Sequence, residues 1–168
     1  MNATAHPKLA LRPMLPADAG LLAQIFQASV EDLTGEDYNE AQQAAWASAA
    51  DDVAAFAERL AGQLTLVATM NGSVIGFVSL AGADTIDMLY VHPAVAGQRV
   101  GAMLMDAVEK LTSARGAAKL VVDASDTARG FFEKRGYVAQ QRNTVTVGGE
   151  WLANTTLHKP LAAKREDS

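Results

Sequence analysis

The stretch LYVHPAVAGQRVGAMLMDAVEK, residues 89–110, is the most informative about the fold because it changes from an extended to a helical pattern within a few residues. A strand ends at His92-Pro93, and a helix begins after a loop that contains Gly97. The first amides of a helix lack internal partners and lie at the positive end of its dipole. Small residues such as Gly101 let an anion approach those amides, which predicts a phosphate or pyrophosphate site. The alternative interpretation is an ordinary strand-to-helix turn with glycine for close packing.

The rest of the chain alternates between helical and extended patterns. Three early segments have helical spacing, with Leu33 on the inward face of the first and Val53 on that of the third. The Asn71-Gly72 pair predicts a type I′ turn between two strands. The predicted strands are 8–14, 64–69, 74–81, 85–91, 119–124, 137–147 and 151–158, and the predicted helices are 16–33, 39–47, 51–61, 100–113 and 126–135. The strand–helix–strand unit around 100–113 implies two parallel strands, and the hairpins imply antiparallel ones. We expect an α/β fold with a mixed sheet of about seven strands and flanking helices.

The totals limit what kind of protein this is. The chain has 168 residues, with 14 Lys and Arg against 19 Asp and Glu, and no cysteine. We expect a single domain over residues 8–161 with short flexible tails at 1–7 and 162–168. The acidic balance argues against nucleic-acid binding, and no apolar run suits a signal peptide or a membrane span. The lack of cysteine excludes disulfides, thiolate metal sites and a cysteine nucleophile. We therefore expect a cytoplasmic protein without a metal and without a nucleic-acid or membrane partner.

A second motif, SDTARGFFEKRGYV at residues 125–138, follows the first at a characteristic distance. Together with the order of the elements, the two motifs resemble the GCN5-related N-acetyltransferase (GNAT) family over about residues 11–161. The resemblance implies a GNAT-type fold, acetyl-CoA as cosubstrate, and direct attack of an amine on the thioester. The acceptor would be a small molecule or a peptide amine, and a homodimer is left open. The acidic balance favours a cationic acceptor.

The same resemblance assigns the coenzyme site, with departures. The family's pyrophosphate pattern, Q/R-x-x-G-x-G/A, aligns with residues 96–101, where Gly101 matches and Arg99 stands in place of the first glycine. In the second pattern, N-x-x-A-x-x-F-Y, Ser125 replaces the Asn and Phe132 replaces the Tyr that protonates the leaving thiolate. The backbone of 89–91 is implied to hold the thioester carbonyl. The residues implied to bind the coenzyme are Leu89, Tyr90, Val91, Ala96, Gly97, Gln98, Arg99, Val100, Gly101, Ala102, Ser125, Ala128, Phe131 and Phe132.

Two residues are candidates for catalysis. Asp87, two residues before Leu89 on the strand, is predicted to act as general base for the amine or to hold its ammonium. Tyr137 is the candidate for the missing acid, with a core aromatic as the other interpretation. The side chains implied to contact the acceptor are Tyr38, Gln42, Trp46 and Trp151.

The departures at Arg99 and Phe132 keep two alternatives open. One is a non-catalytic module that binds or senses CoA. The other is an acyltransferase that uses a longer acyl-CoA.

Overall fold

A computed structural model describes residues 7–161, and its elements follow the order expected from the sequence. The strands are β1 (Leu9–Pro13), β2 (Leu64–Met70), β3 (Ser73–Ala81), β4 (Thr85–Val91), β5 (Lys119–Ser125), β6 (Val138–Val147) and β7 (Glu150–Pro160). The helices are α1 (Ala19–Leu33), α2 (Glu40–Ala47), α3 (Val53–Ala61), α4 (Val100–Ala114) and α5 (Asp126–Lys134), with short 3-10 turns at Pro16–Asp18, Ser48–Ala50 and Pro93–Val95. Apart from residue 7, the predicted tails lie outside the described residues.

Within residues 7–161 the seven strands form one mixed sheet in the order β1-β2-β3-β4-β5-β7-β6. Neighbouring strands are antiparallel except for β4 and β5, which confirms the predicted parallel pair. That parallel pairing is short, because only Thr85–Val121 and Ile86–Val122 are partners. Beyond these two positions the strands separate, and the sheet opens into a gap at its centre.

Helices cover both faces of the sheet. Helices α1, α2 and α3 enclose one apolar cluster with the sheet, which includes Phe26, Phe56 and Phe77. Helices α4 and α5 enclose the other, which includes Leu104 and Leu120. Successive strand residues point to opposite faces, and apolar residues of the same strand belong to both clusters, such as Phe77 and Val78 of β3. The result is three layers, of helices, sheet and helices.

Local sequence signals set the ends of several elements. The side chain of Asn39 accepts a hydrogen bond from the amide of Gln42, and Gln42 returns one to the amide of Asn39, so the capping box expected before α2 is confirmed. At the β2–β3 turn, Asn71 and Gly72 have φ angles of 52° and 86°. Both angles are positive, as a type I′ turn requires, which confirms that prediction too.

Two residues expected on inward helix faces are exposed. Leu33 is 38% exposed and Val53 is 44% exposed. Val53 is the first residue of α3, and the cluster beneath that helix contains Phe56 and Leu60 but not Val53. Helical spacing predicts which side of a helix faces the core, but it does not show whether residues at the ends of the helix, such as Leu33 and Val53, reach the core. In the described part of the chain, no helix combines the length and the apolar character that a membrane span requires.

Candidate functional site

A cleft of about 600 Å³ opens where β4 and β5 separate. Its lining comes from the ends of these two strands, the first turn of α4 and the start of α5, together with the α1–α2 connection and part of the β6–β7 hairpin. On its other edge, β4 still pairs with β3 at Leu89, Tyr90 and Val91. The edge of these residues that faces β5 has lost its strand partner, so backbone groups there are available to a ligand.

The first turn of α4 presents backbone donors to this cleft. The first helical hydrogen bond of α4 runs from the amide of Met103 to the carbonyl of Arg99, at 3.0 Å. The amides of residues 100–102 precede it and have no acceptor inside the helix. All three of these residues line the cleft. Unpaired donors at the positive end of a helix dipole suit an anion such as a diphosphate.

Arg99 precedes α4 in a left-handed conformation, with φ 68° and ψ 12°. A residue with a side chain pays roughly 1–2 kcal/mol for this conformation, whereas glycine adopts it freely. The backbone therefore explains why the family pattern has glycine at this position. Arg99 is one of the residues that line the cleft, and it brings a positive charge close to the unpaired amides of α4.

The start of α5 is held in place from two sides. The Ser125 hydroxyl accepts a hydrogen bond from the amide of Ala128 at 3.1 Å, as expected for a helix cap. The Tyr38 hydroxyl accepts one from the amide of Asp126 at 2.9 Å and donates one to the carbonyl of Ala153 at 2.6 Å. Tyr38 lines the cleft, but its hydroxyl joins α5 to β7.

Phe132 and Tyr137 pack against each other, with ring centroids 5.2 Å apart. Phe132 borders the cleft, whereas Tyr137 is not among the residues that line it. The Tyr137 hydroxyl donates to Glu109 Oε2 at 2.8 Å, and burial together with this carboxylate raises the pKa of Tyr137. The structure therefore packs the candidate acid against Phe132 but directs its hydroxyl toward α4.

Asp87 lines the cleft, and its carboxylate is already paired. Arg59 donates to both oxygens at 2.8 and 2.9 Å, and Gln63 donates to Oδ2 at 2.9 Å. Burial acts to raise the pKa of Asp87, but these hydrogen bonds outweigh it, so the pKa lies below the usual value of an aspartate. Its role as general base stays a prediction. The ion pair weighs against it, because a carboxylate stabilised in its charged form accepts a proton poorly.

A second carboxylate, Asp123 on β5, also lines the cleft. Its Oδ1 accepts a hydrogen bond from the Thr156 hydroxyl at 2.5 Å. Among the described residues it has no cationic partner within 4.0 Å. Asp123 is not among the site residues predicted from the sequence. The alternation of KLVVDA, which buries Leu120 and Val122, was the available signal that Asp123 points the other way.

An aromatic wall forms the side of the cleft next to α1 and α2. It consists of Tyr38, Trp46 and Tyr90, with Phe26 packed edge-on against Tyr90 at 4.7 Å between centroids. Tyr38 and Trp46 meet at 5.3 Å, and the Trp46 indole donates to the Tyr90 hydroxyl at 3.3 Å. Burial raises the pKa of Tyr90 to about 12, so its phenol stays protonated at neutral pH. Among the described residues, none accepts the hydroxyl proton of Tyr90.

The structure brings most of the predicted coenzyme-site residues together. Of the fourteen, only Gln98 is not among the residues that line the cleft, and its amide bonds to the carbonyl of Val95. Of the predicted acceptor residues, Tyr38 and Trp46 line the cleft, whereas Gln42 and Trp151 do not. Gln42 donates to the Trp151 carbonyl at 2.7 Å, and the Trp151 side chain is 65% exposed.

Over residues 7–161, no three acidic or histidine side chains come close enough together to hold a metal ion.

Known proteins resemble this chain in sequence and in structure. The sequence model described as "Acetyltransferase (GNAT) domain" matches residues 34–153. The uncharacterized N-acetyltransferase YafP of Escherichia coli (strain K12) is 33% identical over 144 residues, which cover 86% of this chain and 91% of that protein. A crystal structure from Rhodopseudomonas palustris, described as "GCN5-Related N-acetyltransferase: Aminotransferase, Class-II", is 62% identical with a TM-score of 0.90, covering 96% of this chain and 99% of that one.

A more distant structure shares the fold alone. It is the PaiA N-acetyltransferase from Thermoplasma acidophilum in complex with coenzyme A, 17% identical with a TM-score of 0.74, covering 91% of this chain and 99% of that one. The family match spans both motifs, the relative at 33% identity covers most of the chain, and the sheet opens at the point those motifs flank. The chain therefore belongs to the GNAT family of acetyltransferases.

Proposed function

We propose that this protein is an N-acetyltransferase that transfers the acetyl group of acetyl-CoA to an amine. The observation that carries the proposal is the cleft between β4 and β5, which has unpaired helix amides at one end and a carboxylate-and-aromatic lining at the other. Family membership supports the acetyltransferase activity. The PaiA structure in complex with coenzyme A supports a CoA-based donor for this fold.

The donor half of the site fits the chemistry of CoA. The amides of residues 100–102 and the guanidinium of Arg99 offer hydrogen bonds and positive charge to the diphosphate. The free edge of β4 at residues 89–91 offers backbone groups to the amides of the pantetheine arm and a donor to the thioester oxygen. The cosubstrate supplies the activated acyl group, and the chain supplies binding and orientation.

The leaving thiolate needs no strong acid in this proposal. A thiol has a pKa near 8.5, which makes its thiolate a tolerable leaving group. Phe132 cannot donate a proton, and the hydroxyl of Tyr137 is held by Glu109 outside the cleft lining. The phenol of Tyr90 lies in the cleft in its protonated form and is the better-placed donor. Because the chain has no cysteine, a thiol-bound acyl-enzyme is excluded, which is consistent with direct attack by the amine.

Calorimetry with CoA and turnover of acetyl-CoA over a panel of amines test the proposal together. We expect the protein to bind CoA, and to release free CoA from acetyl-CoA only when a suitable amine is present. A chain that binds CoA but acetylates no amine would instead be a CoA-sensing module. Thermal unfolding with acetyl-, propionyl- and succinyl-CoA tests the acyl chain, because the ligand bound most tightly raises the melting temperature most. No binding of any CoA ester would refute the proposal.

A further inference from the structure

The charged residues lining the described cleft are Asp87, Arg99 and Asp123. Arg99 stands at the α4 end, beside the unpaired amides. The charge of Asp87 is balanced by Arg59 at 2.8 Å. Asp123 has no such partner among the described residues, so it is the one uncompensated negative charge on the described lining of the cleft.

Asp123 sits at the point where the sheet opens. Val122, the residue before it, pairs with Ile86 in the last parallel partner pair of β4 and β5. Asp87 and Asp123 are therefore the first residues of the two strands beyond their pairing. A ligand that enters the gap between the strands meets both carboxylates, one already paired with an arginine and the other available.

Hydrogen bonds across the sheet orient the carboxylate of Asp123. Asn143 on β6 donates to the Thr156 hydroxyl oxygen at 2.8 Å, and the Thr156 hydroxyl donates to Asp123 Oδ1. Because the amide of Asn143 occupies an acceptor position of Thr156, the hydroxyl proton is left to point at Asp123. Oδ2 of Asp123 accepts no hydrogen bond from the described residues. One oxygen is thus fixed by the protein, and the other is free for a donor that arrives with the ligand.

We propose that Asp123 binds the ammonium group of a singly charged primary amine whose apolar body lies against Tyr38, Trp46 and Tyr90. The proposal rests on the proposed function and names the acceptor class of that site. An ammonium group offers three donors to a carboxylate and is also attracted to the face of aromatic rings. Because only the neutral amine is a nucleophile, one of these protons passes to water before the N–C bond forms and the C–S bond of the thioester breaks. A polyamine or aminosugar carries several charges, and the described lining offers only one unbalanced carboxylate to receive them. An apolar amine matches both the single charge and the aromatic wall.

The test compares Asp123→Asn with the wild-type chain and with Asp32→Asn. Asp32 is an exposed aspartate of α1 that does not line the cleft, so its variant removes the same charge elsewhere. Calorimetry measures the affinity of each CoA-loaded protein for phenethylamine and for spermidine. Loss of a charge-assisted hydrogen bond is expected to weaken phenethylamine binding by about 10- to 100-fold in Asp123→Asn. CoA affinity in both variants, and phenethylamine binding in Asp32→Asn, should stay within about twofold of wild type.

Two further measurements separate a binding role from a structural one. Asp123→Glu, which restores the charge, should recover part of the phenethylamine affinity. Acetylation of hydroxylamine, which is neutral at pH 8, should fall less in Asp123→Asn than acetylation of phenethylamine. The inference would be overturned, and the proposed function left standing, by any of three results. These are an unchanged phenethylamine affinity in Asp123→Asn, an equal loss of acetylation with phenethylamine and hydroxylamine, or tighter binding of spermidine than of phenethylamine by the wild-type chain. Failure of the wild-type chain to bind CoA would overturn the proposed function and this inference with it.

Discussion

Replacing Gly101 by glutamate or by alanine tests where the diphosphate binds. Gly101 is the second residue of α4, and its own amide is one of the unpaired donors. A Cβ at this position would lie 3.5 and 3.6 Å from atoms of the Phe131 ring, which is ordinary contact. Gly101→Ala should therefore fold normally and bind CoA within about threefold of wild type, a difference below about 1 kcal/mol.

Gly101→Glu adds a negative charge beside those amides. At about 5 Å from a phosphate charge and an effective dielectric constant between about 20 and 80, the repulsion is roughly 1–3 kcal/mol for each charge. We expect CoA to bind at least tenfold more weakly, which corresponds to about 1.4 kcal/mol. Stability should not fall for electrostatic reasons, because a carboxylate in the first turn of a helix is favoured by about 0.3–1 kcal/mol.

Calorimetry measures the CoA affinity of the two variants, and thermal unfolding without ligand confirms that both are folded. The alanine variant controls for the loss of glycine, and the glutamate variant isolates the added charge. If folded Gly101→Glu binds CoA as tightly as Gly101→Ala, the diphosphate does not lie at the start of α4. The assignment of the donor half of the cleft would then be wrong.

Three other substitutions have definite expected outcomes. Arg99→Gly relieves about 1–2 kcal/mol of left-handed strain, so it should raise the melting temperature by about 2–8 °C while weakening CoA binding. A lower melting temperature would contradict the strain. Arg12 donates hydrogen bonds to Asp18 at 2.7 and 2.9 Å, and these outweigh burial and lower the pKa of Asp18. The stability that this aspartate contributes is therefore present above its unfolded pKa of about 3.9. It is lost as the pH falls through the lower pKa of the folded state. Asp18→Asn should therefore cost about 1–3 kcal/mol in urea unfolding at pH 7 and less at pH 3, and an equal cost at both pH values would refute this. Tyr38→Phe leaves the amide of Asp126 without its partner and should cost about 1–3 kcal/mol in the same assay, whereas a neutral effect would show that this hydroxyl does not secure α5.

Local sequence signals were sufficient to predict the elements of the fold. Helical and strand periods differ, so the segments are recognisable from spacing alone. Turn and cap chemistry, such as Asn71-Gly72 and the Asn39–Gln42 box, depends on residues that are neighbours in the chain. The parallel β4–β5 pair followed from the length of its helical connection. Each of these inferences uses physics that acts over a few residues.

Pairing between distant side chains was beyond such reasoning. Asp87 meets Arg59, which lies 28 residues earlier, and the sequence pattern has no sign of that ion pair. Tyr137 meets Glu109 across an equal separation of 28 residues, which turns its hydroxyl from the cleft. The position of Asp123 in the cleft was not predicted, because only the strand register shows that it follows the last position at which β5 pairs with β4.

The order of helices and strands, the family resemblance and the strand-to-helix turn at which an anion site is predicted all follow from the sequence, because periodicity, capping and glycine placement act locally. Which carboxylate of the cleft is paired and which is free follows only from the packing of the folded chain. Asp87 of β4 is paired because it contacts α3, whereas Asp123 of β5 is hydrogen-bonded to β7. Both carboxylates lie at the point where β4 and β5 stop pairing. Charge compensation is a property of such neighbours in space, and one-dimensional spacing does not contain it.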